Sequence, residues 1–221
     1  MSELMFAAAA GLPLVAGWSV HARRLTRRID AARRDPLTGL WTREAFYDRA
    51  GKSLSKGQQR AVLMLDLNWF KQINDDYGHA AGDAVIRATG MRLGTWAAKH
   101  HGVAGRLGGD EFAAVTDVCG PTGTVSGNLN VKVLELIRHL ERPVSFEGRS
   151  IDVFVSIGLA RYWRGTADLP ALLRLADEHM YRAKREGGGA SIAPRNETAP
   201  ALPTIHGRRY GRPGTTGKEV A

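Results

Sequence analysis

A pair of glycines separates two strand-like segments near the middle of the chain, and two acidic residues follow the pair at once. The stretch RLGGDEF covers residues 106–112, with VAGRL before Gly108 and Gly109 and EFAAVTD after Asp110. Two such segments around a glycine pair predict a β-hairpin, because glycine adopts the positive φ angles that tight turns need. Asp110 and Glu111 would then lie at its tip. Alone, these acids fit a solvated turn, so their role depends on the rest of the chain.

A further acidic residue, Asp66, lies near the end of the apolar run AVLMLDL, residues 61–67. A continuous apolar run of this length predicts a buried strand, with Asp66 near its end. If this strand lies beside the hairpin, its acid meets Asp110 and Glu111. The carboxylates have no basic partner nearby in the sequence, so they would repel one another unless a cation lies between them. Oxygen ligands with open coordination positions suit Mg²⁺, with Mn²⁺ as a second candidate.

The stretch FKQINDDYGHAAGD, residues 70–83, would supply the other half of a nucleotide site. Lys71 could reach a phosphate, and Asn74 and Asp83 could bind the hydrogen-bonding edge of guanine. Adenine lacks the donor pair that a carboxylate would accept from, so Asp83 would discriminate between the bases. Another interpretation is a polar loop between two helices, with Asp83 as an N-cap.

The remaining pattern predicts helices that cover a sheet. A short helix from residue 69 would be interrupted by Gly78 and Gly82, and a longer helix would follow. The buried face of that longer helix would comprise Val85, Thr89, Leu93 and Trp96. Hairpins and helices without strict alternation favour an α+β fold.

Three further elements follow along the chain. A helix over residues 130–142 would place its apolar side on Val131, Val133, Leu134, Ile137 and Leu140. Residues 151–162 predict a single strand, and residues 169–187 predict a last amphipathic helix that ends at Gly187–Gly189.

The net charge of +9 is concentrated at the two ends of the chain. Six arginines lie between residues 23 and 34, and a further basic group lies beyond residue 193. The segment between them is close to neutral, so no nucleic-acid surface is expected there. The single cysteine, Cys119, excludes an intrachain disulfide and any multi-cysteine metal site.

These features divide the chain into four parts. Residues 1–20 predict a membrane anchor or an apolar helix, residues 21–34 a basic helical linker, residues 35–192 the folded domain, and residues 193–221 a disordered tail. The uncharged run 4–20 would span about 25 Å as a helix, slightly less than a ~30 Å hydrocarbon core. The arginines after it favour a cytoplasmic domain held at the inner membrane surface. The alternative is an alanine-rich leader to the linker.

Five stretches together resemble the GGDEF domain of diguanylate cyclases. They are DPLTGL (35–40), LDLNWFKQINDDYGHAAGD (65–83), RLGGDEF (106–112), SIGLA (156–160) and ADEHMYRAKREG (176–187). The resemblance implies a central, mostly antiparallel five-stranded sheet flanked by helices, related to the adenylyl cyclase and polymerase palm folds. It also implies that two GTP condense into cyclic di-GMP and two pyrophosphates, with one GTP on each subunit of a homodimer.

The resemblance also assigns roles to particular residues. Mg²⁺ would be bound by Asp66, the Leu67 carbonyl and Asp110, and Asp110 or Glu111 would help to deprotonate the ribose 3′-OH. Guanine would contact Asn74 and Asp83, and His79 would order the ribose or its loop. The remaining nucleotide contacts would come from Phe70, Lys71, Lys184, Gly108 and Gly109.

The chain departs from the family pattern at several positions. Asn68 replaces the second acid of the D-x-D strand end, and Gly188 stands where an arginine often follows the last helix. The product-inhibition motif R-x-x-D would fall on residues 99–102, which read KHHG, so inhibition at that site is not expected. A second hypothesis is a catalytically silent GGDEF module that binds GTP or acts as a scaffold. Complete retention of RLGGDEF and Asp66 favours the enzyme.

Overall fold

The computed structural model describes residues 30–56, 59–117, 125–163 and 167–194, together with Trp18, His21 and Glu197, and gives only the backbone of residues 125–128. Most of the predicted anchor, of the basic linker and of the tail lies outside these residues. Within the described part of the chain, no helix is long and apolar enough to cross a membrane.

Five helices and seven strands make up the described structure. The helices are α1 (Arg43–Lys56), α2 (Phe70–Tyr77), α3 (His79–Lys99), α4 (Val125–Leu140) and α5 (Leu169–Arg185). The strands are β1 (Gln59–Leu67), β2 (Val103–Gly108), β3 (Glu111–Asp117), β4 (Val144–Phe146), β5 (Arg149–Ile151), β6 (Val155–Trp163) and β7 (Gly189–Ile192).

The main sheet has five strands in the order β2-β3-β1-β6-β7. Every neighbouring pair is antiparallel except β6 and β7, which are parallel. Strands β4 and β5 form a separate two-stranded hairpin. The predicted α+β fold with a mostly antiparallel five-stranded sheet is therefore confirmed.

Strand β1 lies at the centre of this sheet and is buried on both faces, which explains its continuous apolar sequence. Leu63 and Leu65 pack in one core cluster with side chains of α3 and α4. Val62 and Met64 pack in a second cluster with side chains of α1 and α5. The domain is thus a three-layered structure with helices on both faces of the sheet.

Two predicted helix features are wrong. Gly82 does not interrupt a helix, because α3 runs from His79 through it to Lys99 and only Gly78 separates α2 from α3. In α4, Val131 and Leu134 are exposed. The buried stripe has helical spacing and consists of Leu129, Val133, Leu136 and Leu140.

The single strand predicted over residues 151–162 is also wrong, because the chain leaves the extended ladder at residues 152–154. Backbone groups at this break bond to other parts of the chain. The Phe154 carbonyl accepts the Asn68 N–H at 2.8 Å, and the Glu141 carboxylate accepts the Val155 N–H at 3.2 Å. The residues just before β6 are therefore hydrogen-bonded to the turn that follows β1.

The segment before the domain is held by an arginine–aromatic stack. The guanidinium carbons of Arg34 and Arg49 lie 3.4 and 3.5 Å from the ring centroid of Trp41. Arg49 also pairs with Asp30 at 3.2 Å. These contacts hold residues 30–34 against α1.

Helix α5 packs directly on β6 at Gly158. A Cβ at this position would lie 1.8 Å from the Ala176 carbonyl oxygen and 2.1 Å from the Met180 nitrogen, both backbone atoms of α5. We expect Gly158→Ala to lower the free energy of unfolding by about 3 kcal/mol or more, since the helix must move away. Urea unfolding followed by circular dichroism measures this change.

The matched control is Gly51→Ala in α1, where an added Cβ meets no atom within 4 Å. This change should be neutral or stabilising by up to about 1 kcal/mol, because alanine is the better helix former. Equal effects of the two substitutions would contradict the close contact between α5 and β6.

Candidate active site

The acids predicted from separate motifs meet at one end of the sheet. Asp66 of β1 lies directly opposite Glu111 of β3 in the antiparallel register, and Asp110 precedes Glu111 in the hairpin turn. Directly opposed residues have Cβ atoms about 5 Å apart, on the same face of a sheet. Asp66 is 4% exposed and Glu111 is 6% exposed. Two of the three carboxylates are therefore largely shielded from water, and Asp110 beside them is partly exposed.

A cavity of about 410 Å³ opens beside these acids. Of the residues predicted for the site, seven line it: Asp66, Leu67, Phe70, Lys71, Asp110, Glu111 and Lys184. It is thus lined by acids, by basic groups and by an aromatic ring, which together suit a nucleotide with its phosphates and a cation.

Lys184 of α5 lies against the acids. Its Nζ donates to Asp66 Oδ1 at 2.5 Å. The sequence showed no basic partner because 118 residues separate the two side chains. The packing of α5 on β6 brings them together, and the ammonium offsets part of the negative charge.

The pKa of Asp66 is raised to about 6 despite this ion pair. Burial is the largest cause, and the nearby charge of Asp110 is the next. The Lys184 ammonium acts in the opposite direction and does not compensate fully. Burial and the charge of Asp110 together therefore outweigh the ion pair with Lys184.

Two arginines hold the backbone of the hairpin turn. Arg106 donates to the Gly109 carbonyl at 2.8 and 3.0 Å and also bonds to Asp35. Arg43 donates to the Leu107 carbonyl at 2.9 Å. Gly108 and Gly109 have φ angles of +149° and +51°, and a Cβ at either would meet no atom within 4 Å. Glycine is needed here for the backbone conformation, and the space beside the turn is open.

The three other predicted nucleotide contacts lie beyond the cavity lining, on α2 and α3. Asn74 lies on α2, His79 begins α3, and Asp83 lies in the first turns of α3, so the alternative of an Asp83 N-cap is wrong. A Cβ on Gly82 would lie 1.9 Å from Asn74 Oδ1 and 3.2 Å from Phe70 Cζ. The side chains of Asn74 and Phe70 therefore both pack against Gly82.

Sequence reasoning missed four cavity residues, namely Trp69, Met180, Tyr181 and Arg185. Helical spacing could have found the last three, because Met180 and Tyr181 lie four and three positions before Lys184, and Arg185 lies four positions after Tyr181. Trp69 had no such signal, since its place depends on the turn after β1.

The donor set fits one divalent cation. Asp66, Asp110 and the Leu67 carbonyl would supply oxygen ligands, since all three residues line the cavity, and the charge of Asp110 is one cause of the raised pKa of Asp66. Among the described residues, no group of three or more His, Cys, Asp or Glu side chains could hold a metal ion by itself. Such a site suits Mg²⁺, which keeps water ligands and takes others from substrate phosphates.

The sequence profile of the family described as "Diguanylate cyclase, GGDEF domain" matches residues 32–190. The chain belongs to the GGDEF domain family. An uncharacterised 19.3 kDa protein of Streptomyces ambofaciens is 42% identical to this GGDEF protein over 80% of its chain and 91% of the relative. The diguanylate cyclase TpbB of Pseudomonas aeruginosa is 34% identical over 72% of this chain. The match spans only 37% of TpbB, and only 20% of a Caulobacter vibrioides signalling protein that is 36% identical.

Solved structures show the same fold. The isolated GGDEF domain of TpbB matches with a TM-score of 0.64 and 35% identity, covering 74% of this chain and 95% of that domain. The P. aeruginosa diguanylate cyclase SiaD, solved with its activator SiaC, matches with a TM-score of 0.67 and 25% identity. That match covers 87% of this GGDEF protein and 75% of SiaD.

The raised pKa of Asp66 predicts a stability cost at neutral pH. A carboxyl whose folded pKa lies above its unfolded value stabilises the fold at low pH, and this contribution is lost as the pH rises through about 6. We expect Asp66→Asn to gain stability relative to the wild type between pH 4 and pH 7.5, by up to roughly 3 kcal/mol. Urea unfolding of both proteins in EDTA at the two pH values gives this difference.

Asp76→Asn, which changes an exposed acid of α2, is the control and should show a much smaller difference between the two pH values. A pH-independent difference between the wild type and Asp66→Asn would show that the folded state does not raise the pKa of this carboxyl.

Proposed function

We propose that this protein is a diguanylate cyclase that converts two GTP into cyclic di-GMP and two pyrophosphates, requires Mg²⁺ or Mn²⁺, and acts as a homodimer. The observation that carries this proposal is the in-register pairing of Asp66 with Glu111 beside Asp110, under Lys184 and Lys71 in one cavity. The cyclase activity that the name of TpbB states supports it.

The chain's own residues divide the chemistry between them. Asp110 or Glu111 would accept the proton of the ribose 3′-OH as its oxygen bonds to the α-phosphorus of the other GTP. The bond from that phosphorus to the bridging oxygen would break, and pyrophosphate would leave with the electron pair. A second equivalent transfer closes the ring, so two GTP yield one cyclic product and two pyrophosphates.

Basic residues would neutralise the charge that develops on the phosphates. Lys71 and Arg185 line the cavity and are exposed. Lys184 lines the same cavity and donates to Asp66. Its ammonium would bond to a phosphate oxygen in place of that carboxylate when the nucleotide is bound. A bound Mg²⁺ would supply further charge neutralisation at the phosphates. Prepositioned charge of this kind is a large part of catalysis in phosphoryl transfer.

Guanine would be selected by Asn74 and Asp83, as the family resemblance implies. The Asn74 carboxamide packs closely against Gly82, because its Oδ1 would lie 1.9 Å from a Cβ at that position. A site built to pair with polar base edges rejects a base that leaves those groups unpaired.

Product inhibition through the R-x-x-D position is not expected. Lys99, which takes the place of the arginine, pairs with Glu135 at 2.5 Å. The membrane attachment through residues 4–20 and the linker role of residues 21–34 remain predictions.

The first test is turnover of GTP by the full-length chain with Mg²⁺, with the products separated by chromatography. Asp110→Ala should lower the rate at least about 100-fold while the protein stays folded, because a carboxylate is lost from the reacting centre. Asp75→Ala, which removes an exposed acid of α2 outside the cavity lining, is the control and should keep the wild-type rate.

If Asp110→Ala still turned over GTP, the proposed role of the Asp110 carboxylate in the reaction would be wrong. If the wild type binds GTP and forms no dinucleotide at any protein concentration, the silent-module hypothesis replaces the cyclase. A parallel reaction with added cyclic di-GMP should proceed at the same initial rate.

Gly82→Ala tests base recognition. The added methyl would lie 1.9 Å from Asn74 Oδ1, so the carboxamide must turn away. Loss of one buried hydrogen bond costs about 1–3 kcal/mol, so we expect the KM for GTP to rise about tenfold with a smaller change in kcat. Steady-state kinetics with GTP and ATP measures both KM and discrimination.

Gly51→Ala, which adds the same methyl to a helix far from the cavity, should leave both kinetic constants unchanged. An unchanged KM in Gly82→Ala would show that the orientation of the Asn74 carboxamide does not matter for binding of the base.

A further inference from the structure

Three exposed aromatic side chains line a second groove, of about 280 Å³, beside the active-site cavity. Trp69 is 56% exposed, Phe154 is 46% exposed and Tyr77 is 38% exposed. The ring centroids of Trp69 and Phe154 are 5.5 Å apart in an edge-to-face arrangement. We call this opening, which Asp76 and Asp152 also line, the aromatic groove. Exposed rings that lie together are typical of surfaces that bind another chain segment.

The aromatic groove is acidic. Asp76 and Asp152 are exposed, and neither forms an ion pair within the described residues. The exposed bases Lys71 and Arg185 line the adjoining nucleotide cavity instead. A ligand that suits the groove therefore combines positive charge with flat groups that pack on aromatic rings.

Arginine has both properties, because its guanidinium pairs with carboxylates and stacks on aromatic faces. The domain contains one such contact elsewhere. Arg34 and Arg49 lie 3.4 and 3.5 Å from the ring centroid of Trp41, and Arg49 also pairs with Asp30 at 3.2 Å. The aromatic groove offers rings and carboxylates of the same kind without their arginines.

The chain has two arginine clusters outside the described residues, at residues 23–28 and at residues 208–212, which read RRYGR. The first cluster precedes the segment that bridges, through Trp41, to Gly105 of β2. The second cluster follows β7. Strands β2 and β7 are the two opposite edges of the main sheet. The position of the groove relative to these edges therefore distinguishes the two clusters.

Strand β7 begins beside the groove. A Cβ on Gly188 would lie 2.9 Å from Asn68 Nδ2, and Asn68 lines the groove. The strand then runs from Gly189, which pairs with Ser156, to Ile192. At ~3.3 Å per residue, the chain leaves the sheet about 13 Å from Gly188.

The next described residue of the tail also lies close to this edge. The Glu197 carboxylate accepts a hydrogen bond from Nε2 of the buried His179 at 2.8 Å, on the part of α5 that contacts Gly158. Phe154 lies only four residues before Gly158, about 13 Å at ~3.3 Å per residue. The eleven residues from Glu197 to Arg208 can extend over about 36 Å. The C-terminal cluster can therefore reach the aromatic groove.

We propose that residues 208–212 bind in the aromatic groove of the same chain, where their guanidinium groups pair with Asp76 and Asp152 and stack on Trp69 and Phe154. A tethered segment acts at an effective concentration on the order of millimolar, so a weak contact keeps it bound. Because Trp69 lines both openings, the bound tail lies at the mouth of the nucleotide cavity. This contact does not depend on the proposed cyclase function.

Limited trypsin digestion of the full-length chain tests the contact, with cleavage sites timed by mass spectrometry. Asp76→Asn with Asp152→Asn should speed cleavage after Arg208 and Arg209 at least about threefold, because cleavage follows the fraction of unbound tail. Cleavage within residues 23–28 is the internal reference and should not change. Added salt should raise tail cleavage of the wild type, relative to this reference, towards that of the variant.

The matched control is Glu44→Gln with Asp75→Asn, which removes two exposed acids outside both openings. The ratio of tail cleavage to linker cleavage should keep its wild-type value. Circular dichroism establishes that each variant is folded.

Fluorine NMR of the chain labelled with 5-fluorotryptophan shows where the tail binds. Replacing Arg208, Arg209 and Arg212 together by serine should shift the resonance of Trp69, because the guanidinium groups leave its ring. The resonance of the buried Trp96 should stay in place. The spectrum of Trp69→Phe assigns the first resonance.

The proposal is overturned if the groove variant is cut at the wild-type rate or if the Trp69 resonance does not move. It is also overturned if the variant speeds cleavage within residues 23–28 instead, since the linker would then occupy the groove. Protection that rises with protein concentration would show that the tail of a second copy occupies it, which contradicts binding within one chain. Neither measurement uses GTP turnover, so a failure of the cyclase function would leave these results unchanged.

Discussion

The structure of the site depends on the register between β1 and β3. Because Asp66 lies opposite Glu111, two carboxylates are buried side by side at the end of a central strand. A shift of one residue would move Asp66 to the other face of the sheet and put the apolar side chains of β1 out of phase with both core clusters. The packing of the hydrophobic core and the position of Asp66 beside Glu111 therefore depend on the same strand pairing.

Because two carboxylates are buried together, other parts of the domain must supply groups that stabilise them. Helix α5 contributes Lys184, and two arginines hold the hairpin carbonyls in place. Lys184 lowers the pKa of Asp66, but burial and the charge of Asp110 outweigh it. Burying this carboxylate therefore costs stability at neutral pH.

Much of this arrangement was accessible from the sequence because its signals are local. The apolar run of β1, the glycine pair of the hairpin and the amphipathic pattern of α5 each predict one element. The contact between Lys184 and Asp66 was not accessible, since it depends on how α5 packs across β6. Likewise, the interruption expected at Gly82 failed because that glycine serves a contact with Asn74 within a continuous helix. In α4 the apolar residues outnumber the positions of one buried stripe, so composition alone could not choose the face.

The contact at Gly158 has a consequence for the movement of α5. Because the backbone of α5 packs directly on the backbone of β6, the helix cannot come closer to the sheet without a clash. Lys184 lies near the end of this helix, so the same contact fixes how far its ammonium lies from Asp66 on the neighbouring strand β1. A single residue without a side chain, well outside the cavity lining, therefore sets a distance between two charged groups inside the cavity.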